Sequence, residues 1–528
     1  MCEGICSFAL KMASASVFMV LLAVIALNVR VEGSVHEYKD ASFKESGDAY
    51  LLYGGNEGMR ASIDSDQKHG SGPNNGKSYI KFENITLRRT REAAAQHSGM
   101  EHRTGLVQAI IFEASDRDDI GGSLYGGRKA ICCTPDLAKM EGCKQGEVIR
   151  RQSAGDPKWP HVLNIEFSGD DIATTMSAQS VTIPKTGMYN LYFIFCEPTL
   201  KGLLLDGKTI WKNPTGYLPG RMAPLMTFYG FMSLVYLLLG VIWFSQYIRF
   251  WKDVLQLQNC ITLVIALGMF EMTLWYFEYA NFNATGIRPM GITFWAVTFG
   301  AVKKTVARLL LLVVSMGYGV VRPTLGGLTS KVLLLGATYF LASELLDVVE
   351  NVGTIDDLSG NTRLFLVLPV AILDAFLILW IFTSLSKTLE KLQARRRLAK
   401  LEIYRKFTNA LAVAVIVSVA WIGYELYFKA TDPFSERWQS AWIITGFWHM
   451  LSFALLCVLC VLWAPSQSST RYAYSEEVGE DFDEEEALAL TTSTSVVDVD
   501  VKQEMKERKA VNTDVFSLDE DTEEDKRE

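Results

Sequence analysis

The chain has 528 residues, of which 49% are hydrophobic and only 21% charged, and its mean hydropathy is positive. These values exclude a purely soluble protein and a disordered one. The net charge of −8 is divided unevenly, because residues 464–528 hold 20 acidic and 7 basic side chains, which leaves about +5 for the rest of the chain. The sequence has no strongly basic domain, so we expect no nucleic-acid partner.

The first 33 residues have the pattern of a cleaved secretory signal peptide. Lys11 precedes an apolar run at 17–27, and small or modest residues lie just before Ser34. The run is much shorter than the roughly 20 residues needed to cross a bilayer, so an uncleaved anchor is the weaker alternative. The pattern predicts that the region after residue 33 lies in the lumen of the secretory pathway.

Residues 34–220 have the alternation of apolar and polar side chains that is typical of β-strands. The segments 161–167 and 189–195 both alternate in this way. Asp206-Gly207 lies between two apolar runs and predicts a two-residue hairpin turn. We therefore predict a β-sandwich for this region.

The same region contains four cysteines, which we expect to form two disulfides in an oxidising lumen. Cys132 and Cys133 are adjacent in sequence and are not expected to bond to each other. Each then pairs with either Cys143 or Cys196, and both connectivities remain open.

Two segments fit the acceptor pattern for N-linked glycans. They begin at Asn84 and Asn283, and both fall on the side that is predicted to be lumenal. Asn283 lies close to a predicted membrane span, where modification is commonly prevented. We therefore favour Asn84 as the modified residue.

Seven apolar stretches after residue 223 are long enough to cross a membrane. The loops that would lie in the cytosol hold 12 basic residues, whereas the opposite loops hold 4. This difference agrees with the orientation that the signal peptide predicts and places the C-terminal tail in the cytosol. The predicted spans are about 224–246, 258–280, 290–319, 331–352, 364–386, 407–428 and 440–463.

Ionisable side chains inside the predicted spans are the strongest candidates for a functional site. A charge at the bilayer centre costs about 3 kcal/mol on insertion scales, so these groups should face the bundle interior, either paired or hydrated. Two interpretations remain open: a structural network of ion pairs, or a polar cavity that binds a ligand, a lipid headgroup or an ion. Asp374 is the first candidate partner of Lys304, and Glu271 is the second. The predicted network consists of Glu271, Glu278, Lys303, Lys304, Arg308, Glu344, Asp347, Asp374, Glu425 and His449.

Two charged segments lie on the predicted cytosolic side. Residues 387–406 carry eight basic and two acidic side chains, which membrane topology and anionic lipid explain, with a G-protein or coat contact as the alternative. Residues 466–528 have no helical period and are predicted to form a disordered acidic tail. Their acidic clusters resemble determinants that bind sorting adaptors, and a purely solubilising tail is the alternative.

No sequence pattern predicts catalysis, a metal or a cofactor. Residues 72–78 approach a phosphate-binding loop, but Ser71 stands where the pattern needs glycine. His97 and His102 lack the spacing of a zinc site. The chain also has no Gly-x-Ser-x-Gly motif, so we expect a protein that is not an enzyme and needs no cofactor.

Three segments carry a resemblance to known proteins. Residues 186–196, TGMYNLYFIFC, resemble the late strand of GOLD domains, which are lumenal β-sandwiches of cargo receptors. The segment 211–220, WKNPTGYLPG, leads into the first predicted span, and 315–323, SMGYGVVRP, closes the third. Together they are similar to the lung seven-transmembrane receptor family of GOLD-domain seven-helix proteins.

The resemblance implies both an architecture and a function. It implies a membrane protein in which a lumenal GOLD-like β-sandwich precedes an α-helical seven-transmembrane bundle. Members of that family are Golgi or post-Golgi residents linked to membrane trafficking, so the expected function is to hold a protein or lipid client. The alternatives are a cation channel or transporter that uses the membrane-buried charges, and a ligand-activated receptor. The expected domains are the signal peptide (1–33), the sandwich (34–220), the bundle (221–465) and the tail (466–528).

Overall fold

The computed structural model describes residues 34–62, 76–97, 103–123, 129–139, 143–152, 157–318, 328–352, 360–396, 398–432 and 435–465. The predicted signal peptide and the predicted acidic tail lie outside these described residues. Within the described ranges, a β-rich region is followed by seven long helices. The predicted fold class, a β-sandwich followed by a membrane-spanning helix bundle, is confirmed.

The β-rich region consists of antiparallel sheets. Its strands are β1 (Val35–Ser42), β2 (Lys44–Ser46), β3 (Ala49–Met59), β4 (Tyr79–Arg88), β5 (Arg103–Glu113), β6 (Gly122–Ser123), β7 (Lys129–Ala130), β8 (His161–Ser168), β9 (Ala173–Thr175), β10 (Gln179–Thr182), β11 (Gly187–Phe195) and β12 (Leu204–Lys212). One sheet has the order β1-β12-β4-β10, with β9 also paired to β4, and the other has the order β2-β3-β11-β5-β8. The strands β6 and β7 pair with each other, and two short helices, Arg91–Ala95 and Pro135–Ala138, lie in loops.

The two larger sheets pack face to face through aromatic side chains. Phe193 of β11 contacts the rings of Tyr38 in β1 and Phe82 in β4, with ring centroids 5.6 and 6.4 Å apart. Trp211 of β12 is fully buried in the same core. These residues follow the alternation of the strands, which explains why the sandwich could be predicted from periodicity.

The predicted hairpin turn at Asp206-Gly207 is wrong. Both residues lie inside β12, which pairs with β1 on one side and with β4 on the other. The register shifts at Gly207, where φ is +132° and a Cβ atom would lie 2.6 Å from the carbonyl oxygen of Asn84. Both a type I′ turn and this bulge favour glycine at positive φ, so the dipeptide did not distinguish them.

The structure joins the four cysteines as Cys132–Cys196 and Cys133–Cys143, which is one of the two predicted connectivities. The first bridge ties the segment after β7 to the residue that follows β11. The carboxylate of Asp48 also holds this segment, because it accepts hydrogen bonds from the backbone amides of Ile131 and Cys132 at 3.1 and 2.9 Å.

The long helices are α1 (Ala223–Arg249), α2 (Gln256–Thr285), α3 (Met290–Ser315), α4 (Leu328–Val352), α5 (Gly360–Ala394), α6 (Leu398–Thr431) and α7 (Trp442–Leu462). Six of them are long and apolar enough to cross a membrane. The exception is α3, whose hydropathy is lowered by Lys303, Lys304 and Arg308. This helix packs against α2, α4 and α5.

A tryptophan in the α6–α7 loop joins the sandwich to the bundle. Trp438 is buried against Ala114 and Met188 of the sandwich. A Cβ atom on Gly58 or Gly220 would lie 2.6 Å from its ring, so only glycine leaves room for the indole at these two positions. The amide of Gly220 also donates to the carbonyl of Gly58 at 2.9 Å, which brings the start of the bundle against β3.

Asn283 at the end of α2 forms a second junction. Its Nδ2 donates to the carbonyl of Thr215, and its Oδ1 accepts from the amide of Leu218, both at 3.1 Å. Both polar atoms of the side chain are therefore committed to the segment that links the sandwich to α1. A glycan on Asn283 would disrupt these bonds.

We expect Asn84 to carry an N-linked glycan and Asn283 to carry none. Asn84 is exposed in β4 at the register shift opposite Gly207, whereas the amide nitrogen of Asn283 already donates a hydrogen bond. Glycosidase treatment should increase the gel mobility of the wild type and of Asn283→Gln but should not change Asn84→Gln. A mobility shift that persists in Asn84→Gln would show that another residue carries the glycan and would contradict the prediction.

Candidate functional site

A cavity of about 1130 Å³ lies among the seven helices. Each long helix contributes to its wall, which is mostly apolar, as at Val264, Leu377 and Leu411. The cavity exceeds the volume usual for sites of drug-sized ligands, so it has room for a large molecule. The ionisable side chains of its wall are Arg221, Glu271, Arg288, Lys303, Lys304, Arg308, Asp347, Glu350, Asp374, Glu425, Lys429 and His449.

The basic side chains of α3 leave the helix in two directions. Lys304 and Arg308 are four residues apart and share a face, as the sequence predicts. Lys303 is rotated by about 100° around the helix axis from Lys304. Because α3 packs between α2 on one side and α4 and α5 on the other, these two directions lead to different partners.

The pair between Lys303 and Glu271 is the most deeply buried. Lys303 Nζ contacts Glu271 Oε2, and the two side chains are only 3% and 2% exposed. Gly300, one turn earlier in α3, provides the space, since a Cβ atom there would lie 3.0 Å from Glu271 Oε1. Lys303 also lies over the ring of Tyr236 in α1 at 5.7 Å, so this pair links three helices.

The other two cations of α3 form pairs that are open to the cavity. Lys304 Nζ donates to both oxygens of Asp347 in α4 at 2.7 and 2.9 Å. Arg308 donates to both oxygens of Asp374 in α5 at 2.5 and 3.1 Å, and its guanidinium lies 4.8 Å from the ring centroid of Tyr339. The exposed fractions of Lys304 and Arg308 are 39% and 34%, which makes both accessible to a ligand.

The predicted partners of Lys304, Asp374 and then Glu271, are therefore wrong. Arg308 takes Asp374 because its planar guanidinium matches a carboxylate in two parallel hydrogen bonds. Lys303 takes Glu271 because it points to α2. Lys304 is left with Asp347, and this assignment depends on helix rotations that the sequence does not specify.

Glu278 lies in a further polar contact beside the cavity. It is fully buried, and its Oε1 accepts from Arg288 Nε at 2.5 Å and from the hydroxyl of Thr293 at 3.1 Å. Arg288 also donates to the carbonyl of Asn351 in α4 at 2.8 Å. Arg288 lies in the α2–α3 loop and folds back over the helix ends, so its position outside the apolar spans gave no sign of this contact.

The remaining predicted residues lie apart from the pairs of α3. Glu344 is buried and accepts from the hydroxyl of Thr298 at 2.9 Å. Glu425 binds Lys429 one turn along α6 at 2.6 Å. His449 of α7 packs edge-on against Tyr229 of α1, with ring centroids 5.4 Å apart.

The cavity wall is consequently amphipathic. Glu271, Asp347 and Asp374 are each engaged by a cation of α3, so the charges of this helix are largely satisfied within the protein. Such an arrangement can hydrogen-bond a polar group while the apolar wall packs against the rest of the same molecule. Within the described part of the chain, no group of three or more side chains could hold a metal ion.

Known proteins match the same part of the chain. The family described as "GOST, seven transmembrane domain" matches residues 224–470, which begin in α1 and extend past the end of α7. Mouse transmembrane protein 87B is 36% identical over 283 residues, which cover 53% of this chain and 50% of that protein. Human transmembrane protein 87A is 36% identical over 334 residues, or 62% of this chain and 59% of that protein.

A more distant relative matches a larger share of the chain. The membrane protein PTM1 of Saccharomyces cerevisiae is 23% identical over 437 residues, which cover 76% of this chain and 81% of that protein. By contrast, the chain spans about half the length of the mouse relative. Residues 224–470 are thus similar to the GOST seven-transmembrane domain, which agrees with the resemblance of the sequence to the lung seven-transmembrane receptor family.

Proposed function

We propose that the protein is a membrane trafficking factor of Golgi or post-Golgi compartments that holds a protein or lipid client in its bundle cavity. The observation that carries this proposal is the amphipathic cavity of about 1130 Å³. The compartment rests on the resemblance to the lung seven-transmembrane receptors. In this proposal the protein acts by binding and transport, without catalysis and without a cofactor.

The two sides of the cavity suit the two parts of an amphipathic client. On one side, Lys304 and Arg308 offer partly exposed donors next to their carboxylate partners. On the other side, α5, α6 and α7 offer apolar residues such as Ile381 and Leu455. A client with an apolar segment and a polar group satisfies both surfaces, whereas a small hydrophilic solute leaves the apolar wall in contact with water.

The position of the sandwich supports a role for it in client binding. Arg221 lines the cavity and directly follows Gly220, which packs against Trp438 at the junction of sandwich and bundle. A client in the cavity would therefore end close to the sandwich. With the sandwich in the lumen and the tail in the cytosol, the protein would link a lumenal or membrane client to sorting adaptors.

A cation channel or transporter is the second candidate, because Asp347 and Asp374 line the cavity. A cation pathway needs carboxylates that can exchange their partners for the passing ion. Here Lys304 donates two hydrogen bonds to Asp347, and Arg308 donates two to Asp374. This pairing favours a structural role for the two carboxylates. A ligand-activated receptor is the third candidate, and it predicts that an effector binds at residues 387–406.

Site-specific photo-cross-linking in cells tests the proposal. A photoreactive amino acid at Ser418, which lines the cavity on α6, should capture a discrete client that mass spectrometry identifies. The same amino acid at Ile416, which is 68% exposed on the outer face of α6, serves as the control and should capture only bulk membrane lipid. Identical products at the two positions would contradict a client in the cavity.

A further inference from the structure

The hairpin of α5 and α6 is longer than a membrane span requires. These helices have 35 and 34 residues, which correspond to about 50 Å each at a rise of ~1.5 Å per residue. The hydrocarbon core of a bilayer is about 30 Å thick. We name residues 387–406, which connect and extend the two helices at one end, the basic hairpin.

Most of the described basic side chains of the basic hairpin are exposed. Lys387 and Lys391 are exposed on α5, and Arg395, which is also exposed, directly follows the helix at the same four-residue spacing. Arg405 and Lys406 are exposed on α6. The hairpin as a whole has eight basic and two acidic residues, so it forms a surface with a strong excess of positive charge.

The C-terminal tail leaves the bundle beside this surface. Trp463, directly after α7, is buried, and its ring packs edge-on against Tyr404 and Phe407 of α6, with centroids 6.0 and 5.3 Å apart. Gln258 of α2 fixes the same position, because its Nε2 donates to the carbonyl of Trp463 at 3.1 Å. The tail and the basic hairpin are thus at the same end of the bundle, whichever side of the membrane that end faces.

The first acidic segment of the tail begins within reach of the hairpin. Residues 476–486 contain eight acidic and no basic side chains. They are separated from the last described residue, Pro465, by ten residues, which can span at most about 36 Å. Lys400 lies only one helical turn, about 5 Å along the axis, from Tyr404. A tether of this length gives an effective concentration on the order of millimolar.

We propose that the acidic segment 476–486 docks on the basic hairpin of the same chain, so that each masks the other from outside partners. A single exposed ion pair contributes little free energy to docking. Here eight acidic side chains act together on a surface with excess positive charge, and the short tether raises their local concentration. A sorting adaptor would then have to displace the hairpin before it bound the tail. This inference concerns the end of the bundle at which the tail leaves, and it does not depend on a client in the cavity.

Fluorescence energy transfer in the full chain tests the docking. The donor and acceptor are placed on Gln393 of the hairpin and on Ser475 of the tail, with the protein in nanodiscs of neutral phosphatidylcholine. We expect strong transfer at low ionic strength that falls as salt screens the charges. Changing Lys387, Lys391 and Arg395 to glutamate should lower the docking equilibrium constant by about tenfold.

Charge exchange and a matched control complete the design. Changing Glu484, Glu485 and Glu486 to lysine should lower the transfer when it is the only change. Combined with the three glutamate substitutions in the basic hairpin, it should restore the transfer. Charge reversal at Arg249, the last residue of α1, and at Lys252 in the α1–α2 loop should leave the transfer unchanged. Equal transfer in the wild type and the reversed hairpin would overturn the proposal. If added phosphatidylserine lowers the transfer to the undocked value, the basic hairpin binds anionic lipid instead of the tail. That result would also overturn the proposal.

Discussion

Lys303→Met is expected to destabilise the helix bundle by about 3–5 kcal/mol, because it leaves Glu271 buried without its cation. Both side chains of this pair are almost fully inaccessible, so water is a poor substitute for the lost partner. Thermal unfolding of the purified protein in nanodiscs measures the effect. A Lys303→Met variant as stable as the wild type would show that the pair does not hold the bundle together.

Two further variants separate the ion pair from the loss of a side chain. Adding Glu271→Gln to Lys303→Met removes the unpaired charge and should recover most of the lost stability. Lys304→Met should cost about 1 kcal/mol or less, since Lys304 is partly exposed and Asp347 lies at the cavity wall. Equal losses in Lys303→Met and Lys304→Met would contradict the difference in burial that separates the two pairs.

Removal of the Cys132–Cys196 bridge should cost the β-sandwich about 2–5 kcal/mol. The double variant Cys132→Ser/Cys196→Ser is preferable to a single one, because a lone thiol at Cys132 could exchange with the neighbouring Cys133–Cys143 bridge. The destabilised sandwich should cause retention in the endoplasmic reticulum. Unfolding of the purified protein and its glycan maturation in cells provide the two measurements.

The second bridge is a matched control from the same segment. Cys132 and Cys196 are 64 residues apart, whereas Cys133 and Cys143 are 10 apart. In the chain-entropy account the longer loop contributes more, by about 1.5 kcal/mol. Cys133→Ser/Cys143→Ser should therefore be the milder double variant, and a greater loss from it would contradict the entropic account.

The sequence predicts those elements in which burial in lipid or in a β-sheet requires a regular pattern of apolar side chains. The predicted span 224–246 lies within α1, and 290–319 overlaps α3, because an apolar run has to cover the hydrocarbon core. The hydropathy pattern missed the extension of α5 to Ala394, because charged helical turns outside the hydrocarbon carry no apolar signal.

The contacts that could not be predicted depend on residues far apart in sequence. The pairing of Lys304 with Asp347 is fixed by the relative rotation of α3 and α4. In the sequence, Trp438 is an isolated aromatic residue in a loop. In the fold, its ring packs on Gly58 and Gly220, which are far from it in sequence. The sequence therefore predicts which residues form the site. Their pairing and the cavity between them depend on the three-dimensional fold.

Native mass spectrometry of the protein extracted from its own membrane tests most directly whether the cavity holds a client. We expect the wild type to retain a bound molecule and Ala414→Trp and Ser418→Trp, which fill the cavity from α6, to lose it. Val419→Trp, on the exposed face of the same helix, should keep it. An identical set of bound masses in the wild type and in both cavity-filled variants would show that the cavity does not hold a client.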